Sequence, residues 1–338
     1  MDKFPKIAAF HNIVKSVRHM NDSPYVDDVL KALEPVSFIG TVKLHGTNAS
    51  VVCTPDGLQC RSRNREISVE NDNCGFARFI AGEAQAKVIR HIEDNVRFDY
   101  DLGLETDRPP VTIYGEWCGK GIMKGCGIHS LDLMFVVFAA SIGSGDSVEF
   151  VAPPFVDEPS ASIYHIERVP AYEVTIDFSN EESIRESAKF MEGLVLKVEK
   201  QCPFAASFDA IGIGEGIVWT PLGKYSHRTD LWFKTKGQKH RVEGGKSKTN
   251  IRVSPEILAG VKAFVDATVT MDRLEQGIGY LTELGLSAER KTTGLFLKWI
   301  AKDIADECSD ELEASGLTWK MVQRDVTRRA ATYFKSVS

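Results

Sequence analysis

Apolar and polar residues alternate in short runs over the first two thirds of the chain and recur at helical spacing over the last third. Phe38 and Val42 belong to an alternating run that ends at Lys43, and 49–53, 111–114, 134–139, 194–198, 216–219 and 231–234 are further β-rich runs separated by turns. Phe76, Phe79, Ile80, Ala84, Val88 and Ile92 predict a helix over 75–94 that covers a sheet, and Pro153-Pro154 opens a loop. Beyond residue 250 only helices are expected. Ser254 is an N-cap with Pro255 at the first helical position, and Leu258, Val261 and Val265 mark one face. Helices over 271–284 (stopped by Gly285), 291–308 and 318–334 follow. The pattern predicts an α+β domain of antiparallel sheets flanked by helices over 1–250, then a small all-α domain over 251–338.

Composition narrows this only a little. With 338 residues, 43% of them hydrophobic and 26% charged, the chain suits a soluble protein of one large and one small domain. No apolar run approaches the ~18 residues of a membrane span and the N-terminus has no apolar signal core, so a cytoplasmic protein is expected. Seven cysteines without a Cys-x-x-Cys pair argue against a disulfide framework and a zinc ribbon, leaving reduced, mostly buried thiols. The net charge of −6 hides an asymmetry: residues 1–233 hold 23 basic and 33 acidic side chains, whereas 234–252 hold seven basic ones (Lys234, Lys236, Lys239, Arg241, Lys246, Lys248, Arg252) against Glu243 alone. Attraction for phosphate is thus expected to be local.

The stretch that bears on chemistry is Lys43-Leu44-His45-Gly46-Thr47-Asn48, a lysine and a glycine turn at the end of a strand. Only an unprotonated lysine attacks a phosphate. An unperturbed lysine side chain titrates near 10.4, which leaves about 0.1% neutral at pH 7.4, so a site using one needs burial or positive neighbours. On its own the hexapeptide would mean little, because a lysine next to a glycine turn is usually just a solvated strand end. The pieces that follow in order change that: Cys60-Arg61-Ser62-Arg63, Ile113-Tyr114-Gly115-Glu116-Trp117, Phe135-Val136-Val137-Phe138, Gly214-Glu215-Gly216-Ile217-Val218-Trp219 and Trp232-Phe233-Lys234-Thr235-Lys236. Two other signals fail. Gly244-Gly245-Lys246-Ser247 has His240 where a P-loop needs its first glycine, and Gly212, Gly214 and Gly216 are wrongly spaced for a dinucleotide fold.

This ordered set resembles the covalent nucleotidyltransferases, and within them the ATP-dependent RNA ligase 2 family of phage nick-sealing and kinetoplastid editing ligases; the resemblance covers nearly the whole chain. Lys43 to Asn48 match its Lys-x-His-Gly-x-Asn nucleophile motif, where DNA ligases typically carry Lys-x-Asp-Gly. The resemblance implies an adenylation domain over 1–250 and a helical RNA-binding domain over 251–338, in place of the OB barrel usual in DNA ligases and capping enzymes. It implies Lys43 as nucleophile, Lys234 and Lys236 as catalytic phosphate contacts, Arg63 and Glu116 on the ribose, Phe138 on the adenine, and His45 near the leaving pyrophosphate. Glu215, helped by Asn48, would bind Mg2+ or Mn2+. Glu192-Gly193-Leu194-Val195-Leu196-Lys197 also fits the Glu-Gly-x-Val-x-Lys metal motif and keeps the last lysine, where Glu215 has Thr220. Spacing favours Glu215, which precedes Lys234 by 19 residues against 42 for Glu192. The implied activity is ATP-dependent sealing of RNA 3′-hydroxyl and 5′-phosphate ends, in nicked duplex or RNA–DNA hybrid, by a monomer. The alternatives are a DNA ligase or guanylyltransferase using the same lysine, and a non-catalytic subunit that binds RNA ends.

Overall fold

The computed structural model describes residues 4–5, 7–22, 34–63, 65–102, 109–122, 125–237, 255–308, 312 and 317–338. The chain divides into two compact units, Met1–Gly237 and Gln238–Ser338.

The first unit runs through β1 (Ala8–Ala9), α1 (Phe10–Asp22), β2 (Val36–Lys43), β3 (Thr47–Thr54), β4 (Gly57–Ser62), β5 (Glu66–Ile67), α2 (Phe76–Ile80) and α3 (Glu83–Asp99). It continues through β6 (Val111–Cys118), β7 (Met134–Ile142), β8 (Glu149–Val151), β9 (Asp157–Glu158), β10 (Ile163–His165), β11 (Tyr172–Ile176), α4 (Glu181–Lys200), α5 (Pro203–Ala206), β12 (Gly216–Pro221) and β13 (Phe233–Lys236). Among the described residues the strands make a five-stranded sheet, β1-β13-β12-β2-β11, and an eight-stranded one, β5-β4-β3-β6-β7-β10-β9 with β8 on β7. The α+β class holds, but the sheets are mixed: β1 lies parallel to β13 and β10 parallel to β7. Such pairs need long crossovers, which the segments between those strands supply.

One apolar core joins the two sheets, with Phe38, Val42, Trp219 and Phe233 from the first meeting Met134 and Val136 from the second. A second core fills the other face of the eight-stranded sheet, where Ile89, Ile92 and Val96 of α3 meet Val51, Ile113 and Phe135. The helix expected over 75–94 is in fact two, because Gly82 is extended at φ −66°, ψ 141° and starts α3 afresh.

Residues 194–198, expected as a strand, are instead the last turns of α4. Asn180 Oδ1 accepts hydrogen bonds from the backbone N–H groups of Glu182 at 2.9 Å and Ser183 at 3.3 Å, which opens the helix. Ile184, Met191, Leu194, Val195 and Val198 then fall on its buried face, each worth about 1.5–3 kcal/mol when fully buried. Helical periodicity over the longer window wins over the β propensity of five residues.

The second unit carries α6 (Pro255–Thr268), α7 (Met271–Glu283), α8 (Thr293–Glu307) and α9 (Trp319–Val337). Phe264, Leu281, Phe296, Ile300, Val326 and Phe334 pack in its core, and no strand occurs among its described residues. The basic stretch at 238–252 and the Ser254 cap lie outside the described residues. The seven cysteines are free thiols, all buried except Cys74. No helix of the described residues is long and apolar enough to cross a membrane.

Candidate active site

The site forms where the chain leaves one sheet for the other. Along β2, Val36, Phe38 and Val42 point into the core, so strand alternation turns Lys43 to the opposite face. Leu44 and His45 then lead to Gly46 and into β3. Gly46 is sterically required, because a Cβ there would stand 2.5 Å from the Trp117 carbonyl oxygen. That closeness lets the Gly46 N–H donate to Glu116 Oε1 at 2.9 Å.

Strand β12 lies between β2 and β13, and Gly216 at its start pairs with both Lys43 and Lys236. Glu215, one residue earlier and 3% exposed, therefore receives cations from two strands. Its Oε2 lies 2.7 Å from Lys43 Nζ and 3.2 Å from His45 Nδ1, and its Oε1 lies 3.3 Å from Lys236 Nζ. Gly216 makes the approach possible: a Cβ on it would sit 2.1 Å from the Thr235 carbonyl oxygen. Lys234 lies on β13 two residues from Lys236 and so on the same face, with Ala9 and Val218 as its strand neighbours.

The two glutamates are shifted in opposite directions. Burial pushes the Glu116 carboxyl up to about 7; Lys43, the Gly46 N–H and His45 pull it down, while the negative Glu215 pushes it further up. Burial also acts upward on Glu215, but Lys43, Lys236 and His45 outweigh it and hold the carboxyl well below the usual carboxylate range. An ionised carboxylate only accepts hydrogen bonds, so His45 Nδ1 is the donor. Cys118, near Glu116, is no nucleophile: burial raises its thiol well above the usual range, with Glu116 and Cys202 adding to the rise.

Asn48 pairs directly with Glu116 across β3 and β6, and Glu116 pairs with Val136 on β7. Directly paired residues share a face, so the three lie on one surface of the sheet. Phe138 shares that side of β7 with Val136, packing with the core between the sheets. It is the extra residue of a bulge, since β7 advances from Val137 to Ala139 while β6 goes from Gly115 to Tyr114. Its ring meets Phe4 edge-on, centroids 5.2 Å apart. The sequence gives Phe4 no role; a single aromatic ahead of a helix carries no signal.

Arg63 is exposed just past β4, one residue beyond the Ser62–Ala49 pair, with no hydrogen bond or ion pair among the described residues. Glu192 is on the exposed face of α4, as are Gly193 and Lys197. The structure thus brings together Lys43, His45, Glu116, Glu215 and Lys236, sets Asn48 and Phe138 on the adjoining sheet surface, and leaves Arg63 and Glu192 outside these contacts.

The family model described as RNA ligase matches residues 36–236, which span every one of these positions and more than half of the chain. Solved structures of Naegleria gruberi RNA ligase are similar over 70% of this chain. A lysine-to-methionine variant with AMP and Mn has 15% identity and a TM-score of 0.39, and the form with PPi has the same values. A lysine-to-alanine variant solved apo has 16% identity and a TM-score of 0.40. The chain spans 56% of the length of these proteins. No curated protein matches it in sequence. With the family's match running unbroken from the strand that carries Lys43 to the strand that carries Lys236, the chain belongs to the RNA ligase family.

Proposed function

We propose that this chain is an ATP-dependent RNA ligase of the RNA ligase 2 kind, which seals 3′-hydroxyl and 5′-phosphate ends in nicked duplex RNA through a lysyl-AMP intermediate. The observation that carries this reading is the gathering of Lys43, His45 and Lys236 around the buried Glu215 carboxylate. The carboxylate holds the Lys43 amine in place at 2.7 Å, and a divalent cation bound to Glu215 would replace the lysine as its counter-ion and favour the neutral amine that attacks.

Lys43 Nζ attacks the α-phosphorus of ATP, the bond to the bridging oxygen breaks and pyrophosphate leaves. Lys236, with Lys234 beside it on the strand, meets the negative charge that develops on the α-phosphate. His45 donates toward the departing pyrophosphate. Glu116 in its ionised form accepts hydrogen bonds from the ribose hydroxyls, Arg63 swings onto the sugar from its exposed turn, and Phe138 stacks on the adenine. The AMP then passes to the RNA 5′-phosphate, and the 3′-hydroxyl displaces it.

Mg2+ or Mn2+ fits the donor set, because Mg2+ is commonly held by one or two carboxylates together with substrate phosphates and waters. Glu215 supplies an ionised carboxylate and Asn48 a neutral oxygen on the adjoining surface. Bound there, the metal would neutralise phosphate charge. The helices of the second unit, with Lys320 and Arg324 exposed on α9, would grip the duplex through its backbone. Incubation with α-labelled ATP, GTP and NAD tests the reading: label retained from ATP alone after denaturation is the expected result. Label from GTP or NAD indicates a capping-type or NAD-dependent enzyme, and no label with any of them indicates a non-catalytic RNA-end binder.

A further inference from the structure

One basic side chain on the site's own sheet surface has no assigned work. Strand register puts Arg61 of β4, Ser50 of β3 and Tyr114 of β6 in one row. Asn48 and Glu116 form the next row, two residues along, about 7 Å away at the usual rise per residue. Side chains two apart in a strand share a face, as do directly paired ones. Arg61 therefore emerges on the surface of Asn48 and Glu116, while Cys60, Ala49, Val51 and Ile113 fill the core on the other side.

Arg61 is partly buried, and its Nε is shut off from solvent with no hydrogen-bond acceptor. Among the described residues no ion pair or hydrogen bond engages its guanidinium. Glu66 stands opposite on β5, yet the two do not close into an ion pair. Several other buried or half-buried arginines have acceptors: Arg90 and Arg97 meet Glu93, although Arg97 Nη1 is also left without one, Arg65 meets the carbonyls of Asn71 and Asp72, and Arg273 meets Asp303. The cations at Glu215 are likewise neutralised. A guanidinium stays charged, and leaving its donors without acceptors is costly. Its planar fork suits phosphate oxygens.

We propose that Arg61 is a substrate-phosphate contact, closing on phosphate oxygens of the ligand bound at the Lys43 site. This rests on the ligase reading for the identity of that ligand, which leaves two sources of the same anion: the triphosphate of ATP and the RNA backbone. The contact is noncovalent, so Arg61 binds and orients while Lys43 reacts.

The test compares Arg61→Met and Arg61→Lys with the wild type. Thermal midpoints, the ATP dependence of adduct formation, and the affinity for pre-adenylylated nicked RNA over a range of salt are measured. Arg61→Met is expected to keep or raise the midpoint, because it removes an unpaired charge, while losing at least tenfold in one arm. A raised KM for ATP with RNA affinity intact identifies the triphosphate. Weakened RNA binding, with a salt slope shallower by about one and adduct formation intact, identifies the backbone. Arg61→Lys restores part of the lost affinity. Both arms within twofold of wild type overturn the proposal, and so does a lowered midpoint with equal losses in both arms, which marks Arg61 as structural. If the wild type forms no adduct, the ligase reading fails separately, and dissociation constants of the same variants for ATP and RNA still decide whether Arg61 holds phosphate.

Discussion

Lys43 Nζ and Glu215 Oε2 lie 2.7 Å apart although 172 residues separate them in the chain. The contact is built by backbone, since the strand that begins beside Glu215 pairs with the strand that ends at Lys43. It places the proposed nucleophile against a carboxylate that is ionised across the physiological range.

Replacing Lys43 separates the first chemical step from the last. Lys43→Ala is expected to give no labelled adduct with ATP while still joining RNA that already carries a 5′-adenylate, because only adduct formation uses the amine. Lys43→Arg should fail in the first assay as well, since a guanidinium stays protonated. An undiminished adduct in either variant removes Lys43 from the mechanism.

The two Glu-Gly sequences should behave differently. Glu215→Gln strands two partly exposed lysines, side chains 24% and 20% accessible, and is expected to cost about 2 kcal/mol, below the range for a fully buried pair. Adduct formation should fall by about a hundredfold with the loss of electrostatic organisation. Glu192→Gln, on the exposed face of α4, should shift stability by less than about 0.5 kcal/mol and leave the adduct near normal. Denaturant midpoints and labelling rates check both; loss of labelling in Glu192→Gln alone would move the metal-binding glutamate into the helix.

Glu116 gives a pH signature with opposite signs for stability and activity. Its folded carboxyl titrates near 7 against an ordinary 4.5, so between those values the native state holds more protons than the unfolded chain and stability falls as pH rises. In the proposed function the ionised form accepts the ribose hydroxyls, so kcat/KM for ATP should rise through about pH 7. Glu116→Gln should flatten both trends. Persistence of the kcat/KM limb in that variant assigns it to another group.

Truncation after residue 250 is expected to keep lysyl-AMP formation and to seal nicked RNA poorly, with a shallower dependence of binding on salt. Lys320, Arg324, Arg328 and Arg329 of α9 are all exposed, but Arg328 pairs with Asp325 and Arg329 with Asp266, whereas Lys320 and Arg324 make no ion pair among the described residues. Lys320→Ala with Arg324→Ala should therefore weaken nick binding more than the same change at Arg328 and Arg329. A folded truncation that seals as well as the full chain removes RNA binding from the helical unit.

Much of the fold is legible because its strands alternate cleanly, as at Phe38 and Val42 before Lys43, and because the later helices repeat over many turns. Residues 194–198 mislead because five apolar-rich positions do not separate a period of two from one of 3.6; the decisive positions, Asn180 and Ile184, lie upstream. The same helix explains why the sequence offers two glutamates. The chemistry around Lys43 is local in its motif, but the partners of Glu215 depend on three strands meeting in register, which no local pattern reports. The bulge at Phe138 and the packing of Phe4 against it are likewise products of tertiary contact.

Gly216 pairs with Lys43 on one side and Lys236 on the other, so one strand sets both cations on the same carboxylate. A slip of a single residue in either pairing would turn that strand's alternate side chains to the opposite face and part a lysine from Glu215. Under the proposed chemistry, assembly of the sheet and readiness to react would be one event: a chain that paired its strands wrongly would also be unable to charge itself with AMP, and self-labelling by nucleotide would then report correct folding.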